Sequence, residues 1–221
     1  ISMDAAGGVK KVVTDKKEYE AKTIIIATGA VHRKAGIPGE AEFTGKGVSY
    51  CATCDGAFFR NKTAAVVGGG DVAVEDAIYL ARMCEKVYLI HRRDEFRAAK
   101  SLVNKAKNTE NIELVLDSTV ERISGEAKVS SIEVKNKITG NTDEFAVDGV
   151  FFAIGMQPVT AFVDKSVQMN EAGYIVAGED CATNVPGVYA AGDIRTKQLR
   201  QIITAAADGA NAVASVEKYI L

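Results

Sequence analysis

Val66-Val67-Gly68-Gly69-Gly70-Asp71-Val72-Ala73 carries the spacing G-x-G-x-x-A between two runs of different periodicity. The apolar stretch from Thr63 to Val67 reads as a short buried strand. Asp71 to Cys84 reads as a helix, because Ala73, Ala77, Leu80, Ala81 and Cys84 recur at helical spacing. A strand that turns into a helix through glycines presents free N–H groups and a partial positive charge to a phosphate. Gly68 is read as the tight turn and Gly70 as the point where backbone approaches a pyrophosphate. Asp71 opens the helix, and Ala73 permits its close packing on the sheet. A glycine turn alone is weak, and the strand before it and helix after it supply the context a dinucleotide site requires.

The next strand, Val87 to Ile90, should end near the adenosine ribose. An acidic residue there would accept hydrogen bonds from a 2′-hydroxyl and mark NAD. This chain has His91-Arg92-Arg93-Asp94-Glu95-Phe96-Arg97 instead. Guanidiniums at a strand end clamp a 2′-phosphate through charge-assisted hydrogen bonds, so Arg92, Arg93 and Arg97, with His91, point to NADPH. The plainer alternative is a solvated basic stretch opening a surface helix.

Upstream lies Cys51-Ala52-Thr53-Cys54-Asp55-Gly56. The chain has four cysteines and one close pair, unlike a secreted disulfide scaffold, so a cytoplasmic setting is expected. Zinc would need two more ligands than this single C-x-x-C supplies, and the histidines are only His32 and His91. A redox dithiol is the preferred reading over zinc or two unrelated thiols. Asp55 is placed to move a proton to or from a thiolate, although Asp-Gly is also an ordinary turn pair. Cys84 falls on the apolar helix face and reads as inert core, and Cys181 reads as a loop residue without a partner nearby.

Together these motifs resemble the low-molecular-weight, prokaryotic-type thioredoxin reductases, a family of NADPH-dependent flavoproteins. The resemblance rests on C-A-T-C-D-G at 51–56, G-G-G-D-V-A at 68–73 and H-R-R-x-x-x-R at 91–97. It also takes in A-T-G at 27–29 and A-A-G-D at 190–193 with Arg200-Gln201-Ile202. It implies FAD and NADPH as cofactors, thioredoxin as partner and a homodimer. It further implies that Cys54 faces the flavin, Cys51 attacks the partner disulfide and Asp55 is the acid–base group. Gly29 and Asp193 would serve the FAD site, with Arg200, Gln201 and Ile202 along the isoalloxazine. The helical stripe Ile202, Ala206, Gly209, Val213, Val216 and Ile220 is expected to pack beneath the flavin sheet.

The family opens with a glycine turn for FAD, and none precedes Cys51, since Gly7-Gly8 lacks the spacing. The reading is therefore of a flavin half lacking on the order of 80–90 residues at its N-terminus. Its strand Ile24–Ile26 is expected to stand without neighbours, and a chain of this extent to bind NADP, lose flavin and not turn over. The fold class that follows is α/β. Two Rossmann-like three-layer dinucleotide-binding domains are expected, the FAD domain discontinuous and N-terminally incomplete, the NADPH domain inserted. The expected boundaries are 1–33 for the FAD-domain remnant, 34–157 for the NADPH domain with its C-x-x-C, and 158–221 for the returning FAD part. Two thin crossovers make rotation between the domains the default expectation.

Three other functions fit parts of the pattern. The flavoprotein subunit of an alkyl hydroperoxide reductase is similar in arrangement, but its NADH preference calls for an acid where Arg92-Arg93 stand. A ferredoxin-fed reductase would not need the glycine turn and arginines. A truncated NADP-binding module without turnover belongs to a different class altogether.

Composition agrees with a globular α/β protein: 221 residues, 47% hydrophobic and 25% charged. With 27 basic and 29 acidic residues the net charge is −2, so no general attraction to nucleic acid or to an anionic membrane is implied, and the arginine cluster is local. No apolar run approaches the roughly 18–20 residues of a membrane span.

Overall fold

The computed structural model of the chain describes residues 2–5 and 8–221. Gly7 of the Gly7-Gly8 pair lies outside the described residues. The chain divides into two units, residues 1–31 with Met156–Leu221, and His32–Gly155.

The first unit opens with an antiparallel meander of β1 (Ser2–Asp4), β2 (Lys10–Val13) and β3 (Glu18–Ala21). At the turn before β3, the Thr14 hydroxyl accepts the backbone N–H of both Lys16 and Lys17. β4 (Ile24–Ile26) and β5 (Ala30–His32) follow.

The second unit begins with β6 (Val48–Ser49), one helical turn α1 (Ala52–Asp55), β7 (Thr63–Gly68) and α2 (Asp71–Ala81). Next come β8 (Lys86–Ile90), α3 (Lys100–Lys107) and β9 (Ile112–Val115). The antiparallel β10 (Ser118–Gly125), β11 (Val129–Asn136) and β12 (Thr142–Ala146) precede the last strand, β13 (Gly149–Ala153). β6, β13, β7, β8 and β9 form an all-parallel sheet in that order.

Such a sheet must be covered on both faces, and the alternation along β7 shows how. Ala64 and Val66 join Phe151, Leu89 and the α2 residues Ala73, Val74, Ala77 and Leu80 in one core. Ala65 faces the other way, with Val150, Phe152 and Ile90, onto Val120, Ile123, Ile132 and Val134 of the β10–β12 sheet. The unit is thus a three-layer sandwich of helices, parallel sheet and antiparallel sheet. α2 ends at Ala81, short of Cys84, because the chain leaves the helix there. The Asn111 amide donates to the Ala81 and Cys84 carbonyls, satisfying groups that the helix end leaves open.

The chain returns to the first unit through β14 (Met156–Pro158), which pairs with β5. β15 (Val188–Ala190) and α4 (Ile202–Ile220) complete it. β15 lies parallel to β4 with Val188 opposite Ile24 and Ala190 opposite Ile26, which corrects the expectation of an unpaired Ile24–Ile26 strand. A core of Ile26, Val163, Val167, Ile175, Val188 and Ile194 forms around that pair.

The stripe expected on α4 also needs correction. Ile202, Ala206, Val213 and Ile220 are exposed, while the helix turns Asp208 and Ala212 inward, with Ala205 and Val216 half-buried beside them. Ala212 and Val216 pack on Tyr189, Ala191 and Cys181. The phase is set by a buried aspartate, which a hydrophobic pattern assigns to the outside. No helix among the described residues is long and apolar enough to cross a membrane.

Candidate functional site

In the His32–Gly155 unit the glycine turn closes β7 and opens α2. A Cβ on Gly68 would lie 2.5 Å from the Ala153 carbonyl oxygen and 2.6 Å from the Ala73 Cβ, so glycine is required for α2 to reach the sheet. Gly70 differs. A Cβ there would meet nothing within 4 Å, and as N-cap residue Gly70 gives α2 no side-chain cap. The first N–H groups of α2 therefore open onto free space, which suits a pyrophosphate. Gly69, which the spacing alone does not single out, is held by tertiary contact, since a side chain there would run into the His91 ring.

The segment after β8 is fastened to this turn. Arg97 donates its backbone N–H to the Gly69 carbonyl at 2.8 Å, and Ala99 donates to Asp71 Oδ1 at 2.8 Å. Asp71 thus ties the two loops together. Arg97 precedes α3 instead of lying on a helix that continues β8. His91 is buried, stacks on Phe96 at 5.2 Å between ring centroids, and its Nε2 has no hydrogen-bond partner among the described residues. Burial, joined by the charges of Arg93, Arg97 and Arg92, lowers its pKa and favours the neutral ring. The guanidiniums of Arg92, Arg93 and Arg97 are exposed and make no ion pair among the described residues, as a 2′-phosphate clamp requires.

Cys51 and Cys54 form a disulfide in the same unit, with Cys54 exposed and Cys51 half-buried. Cys51 is the N-cap of α1, and its Sγ accepts the Cys54 N–H at 3.2 Å. The same N–H would stabilise a Cys51 thiolate once the disulfide opens. Asp55 accepts the Ser49 hydroxyl at 2.6 Å, and Ser49 Oγ accepts the Cys51 N–H at 3.1 Å. Asp55 and Ser49 line a cleft of about 300 Å³ with the exposed Phe58 and with Lys46, Lys62 and Lys128. The role of Ser49 is not legible from spacing, because serine before a cysteine pair carries no pattern of its own.

The two remaining cysteines are buried thiols. Burial, aided by Asp148, pushes Cys84 up to about 11. Burial likewise raises Cys181, whose thiol donates to the Asp208 carbonyl oxygen at 3.3 Å, a group distant in sequence.

In the other unit, Gly29 takes φ +70° and its carbonyl accepts the Val159 N–H. Asp193 Oδ1 and Arg200 Nε are buried without partners among the described residues, and the Arg200 guanidinium lies 4.1 Å over the Tyr174 ring. Gln201 caps α4 through a reciprocal pair of hydrogen bonds with Thr204. Ile202 is 91% exposed. Two orphaned buried polar atoms beside an uncovered apolar side chain fit a large, flat, polar-edged ligand such as a flavin.

A dinucleotide turn and a C-x-x-C disulfide in one unit define a nicotinamide-linked disulfide reductase. The family model of pyridine nucleotide-disulphide oxidoreductases matches residues 2–209. The thioredoxin reductase of Peptoclostridium acidaminophilum is 47% identical over 226 residues, covering 100% of this chain and 72% of that protein. That of Treponema pallidum is 47% identical, covering 95% and 68%. The crystal structure of the Streptococcus pyogenes thioredoxin reductase superposes with a TM-score of 0.92 at 45% identity, over 99% of this chain and 72% of that one. Within its class the chain belongs to the thioredoxin reductases.

Proposed function

We propose that the protein is a thioredoxin-disulfide reductase in which electrons from NADPH pass through FAD to the Cys51–Cys54 pair and on to thioredoxin. The observation that carries this is the Cys51–Cys54 disulfide, open to solvent at Cys54, in the unit that holds the glycine turn and the unpaired arginines.

Gly68, Gly70, Asp71 and Ala73 shape the NADPH pyrophosphate site, and Arg92, Arg93 and Arg97, backed by His91, take the 2′-phosphate. Gly29, Asp193, Arg200, Gln201 and Ile202 would hold FAD, in keeping with the orphaned Asp193 and Arg200 atoms, and on this reading the protein takes up flavin, against the expectation drawn from the missing glycine turn. Bound FAD supplies a two-electron carrier between nicotinamide and disulfide. The His32–Gly155 unit is thereby the NADPH domain, and the remaining residues belong to the FAD domain.

The reduced dithiol then performs thiol–disulfide exchange. The Cys51 thiolate, stabilised by the Cys54 N–H, attacks one sulfur of the partner disulfide. A Cys51–partner bond forms, the partner's S–S bond breaks, and the released thiolate takes a proton handed on by Asp55. Asp55, having given up its first proton, takes the Cys54 proton as Cys54 attacks Cys51. The Cys51–Cys54 bond is restored, the Cys51–partner bond breaks, and Asp55 passes that proton to the second partner sulfur. Two electrons and two protons have moved to the partner. Ser49 holds Asp55 through this exchange. A homodimer in the cytoplasm is the setting we infer, on the strength of the family resemblance and the single close cysteine pair.

The test is to trap the intermediate. Cys54→Ser is expected to form a stable mixed disulfide with thioredoxin through Cys51, while Cys51→Ser forms none and both variants lose turnover. Failure of Cys54→Ser to hold thioredoxin would count against the substrate class.

A further inference from the structure

Asp208 stands inside α4 at 4% exposure, where an isolated carboxylate is costly. Four donors from one short stretch of chain converge on it. Arg195 binds it through both prongs, Nη2 to Oδ1 at 2.6 Å and Nε to Oδ2 at 2.9 Å. Lys197 Nζ reaches Oδ2 at 2.8 Å and the Gly192 N–H reaches it at 2.9 Å. Burial alone would raise this carboxyl; Arg195, Lys197 and the Gly192 N–H outweigh it and hold it at about 2. Arg195 Nη1 also donates to the Thr196 carbonyl within the loop and to the Ala177 carbonyl outside it.

The stretch so gripped, Gly192 to Lys197, contains Asp193. Gly192 sits at φ +78°, where the chain turns sharply out of β15. The Asp193 carboxylate that follows has a buried oxygen with no partner among the described residues. Leaving such an atom bare is unfavourable unless a ligand completes it, and it stays in place only if the backbone beneath it is rigid.

We infer that Asp208 is a positioning residue for the flavin, acting as a clamp that fixes the Gly192–Lys197 loop and so aims the Asp193 carboxylate at its ligand. This rests on the reading of Asp193 as an FAD contact. The sequence hides it, because the clamp joins an aspartate in a helix to a glycine, an arginine and a lysine in a loop.

The test uses Asp208→Asn, nearly isosteric and able to serve fewer of the four donors. Amide hydrogen exchange needs no cofactor. Residues 192–197 are expected to exchange at least tenfold faster than in the parent, with β7 and α2 unchanged. In titrations of FAD into the apoprotein, followed by flavin fluorescence, the Kd is expected to rise at least tenfold while the Kd for NADP⁺ stays within twofold. Parent-like exchange, a parent-like FAD Kd, or parallel loss of both ligands would overturn the clamp. Asp193→Ala in the same assays separates the two claims. It should weaken FAD without loosening the loop, and an unchanged FAD Kd there would remove the reading beneath the inference while the exchange data still judge the clamp. If Asp208→Asn fails to fold, Lys197→Met removes one donor and keeps the Arg195 pair, with about threefold effects expected in both readouts and none contradicting the proposal.

Discussion

Arg92, Arg93 and Arg97 stand next to Asp94 and Glu95 in sequence, yet their guanidiniums stay exposed and outside any ion pair among the described residues. Clustered like charges repel one another, so an arrangement of this kind is stabilised when an anion enters. Only NADPH brings the 2′-phosphate. Arg92→Ala combined with Arg93→Ala is therefore expected to raise the NADPH Kd at least tenfold, since each charge-assisted bond contributes roughly 1.5–3 kcal/mol, and to leave NADH binding nearly unchanged. Fluorescence titration with both nucleotides checks this, and equal losses would remove the assignment. At this scale the sequence is most readable where a residue's role follows from its neighbours. Gly68 and the arginine run are of that kind. Gly69 and Ser49 are not, because what fixes them is the His91 ring and the Asp55 carboxylate, brought close only by the fold.

Among the elements, α2 holds a destabilising feature of its own. Asp76, half-buried on that helix, has its pKa raised to about 6, first by burial and then by the adjacent Glu75. An unfolded aspartate titrates near about 3.9. Between these values the folded protein binds the extra proton, so stability falls as pH rises from about 4 through 6, and the cost is complete above that. Asp76→Asn is expected to flatten this slope and, after allowance for solvent screening, to stabilise the protein by about 1–2 kcal/mol at pH 8. Urea unfolding at pH 4.5 and pH 8 reads both effects, and equal midpoints for variant and parent at pH 8 would refute it. The elements that periodicity finds are those with a regular face, as in β7, β8 and α2. β10 escapes it, because register shifts beside Val120 and Ser124 break the alternation. α3 escapes as well, having only Ala106 fully buried among eight mostly polar residues. α4 is found, but in the wrong phase, since Asp208 points inward.

At the scale of the whole molecule, the α/β class and the dinucleotide-type layering follow from the alternation of buried strands with one well-patterned helix. Of the antiparallel sheet that closes the far face of β7, β11 and β12 are legible as alternating stretches joined by the turn near Thr139-Gly140-Asn141, whereas β10 is not. The four cysteines divide accordingly: an accessible pair in a disulfide, and two buried thiols whose pKa values burial raises. That division makes electron flow countable. The decisive measurement is anaerobic addition of one equivalent of NADPH to the FAD-loaded protein, followed by alkylation under native conditions and peptide mass analysis. The account predicts that Cys51 and Cys54 become alkylated together while Cys84 and Cys181 do not. Oxidation of NADPH with the Cys51–Cys54 disulfide left intact would contradict it.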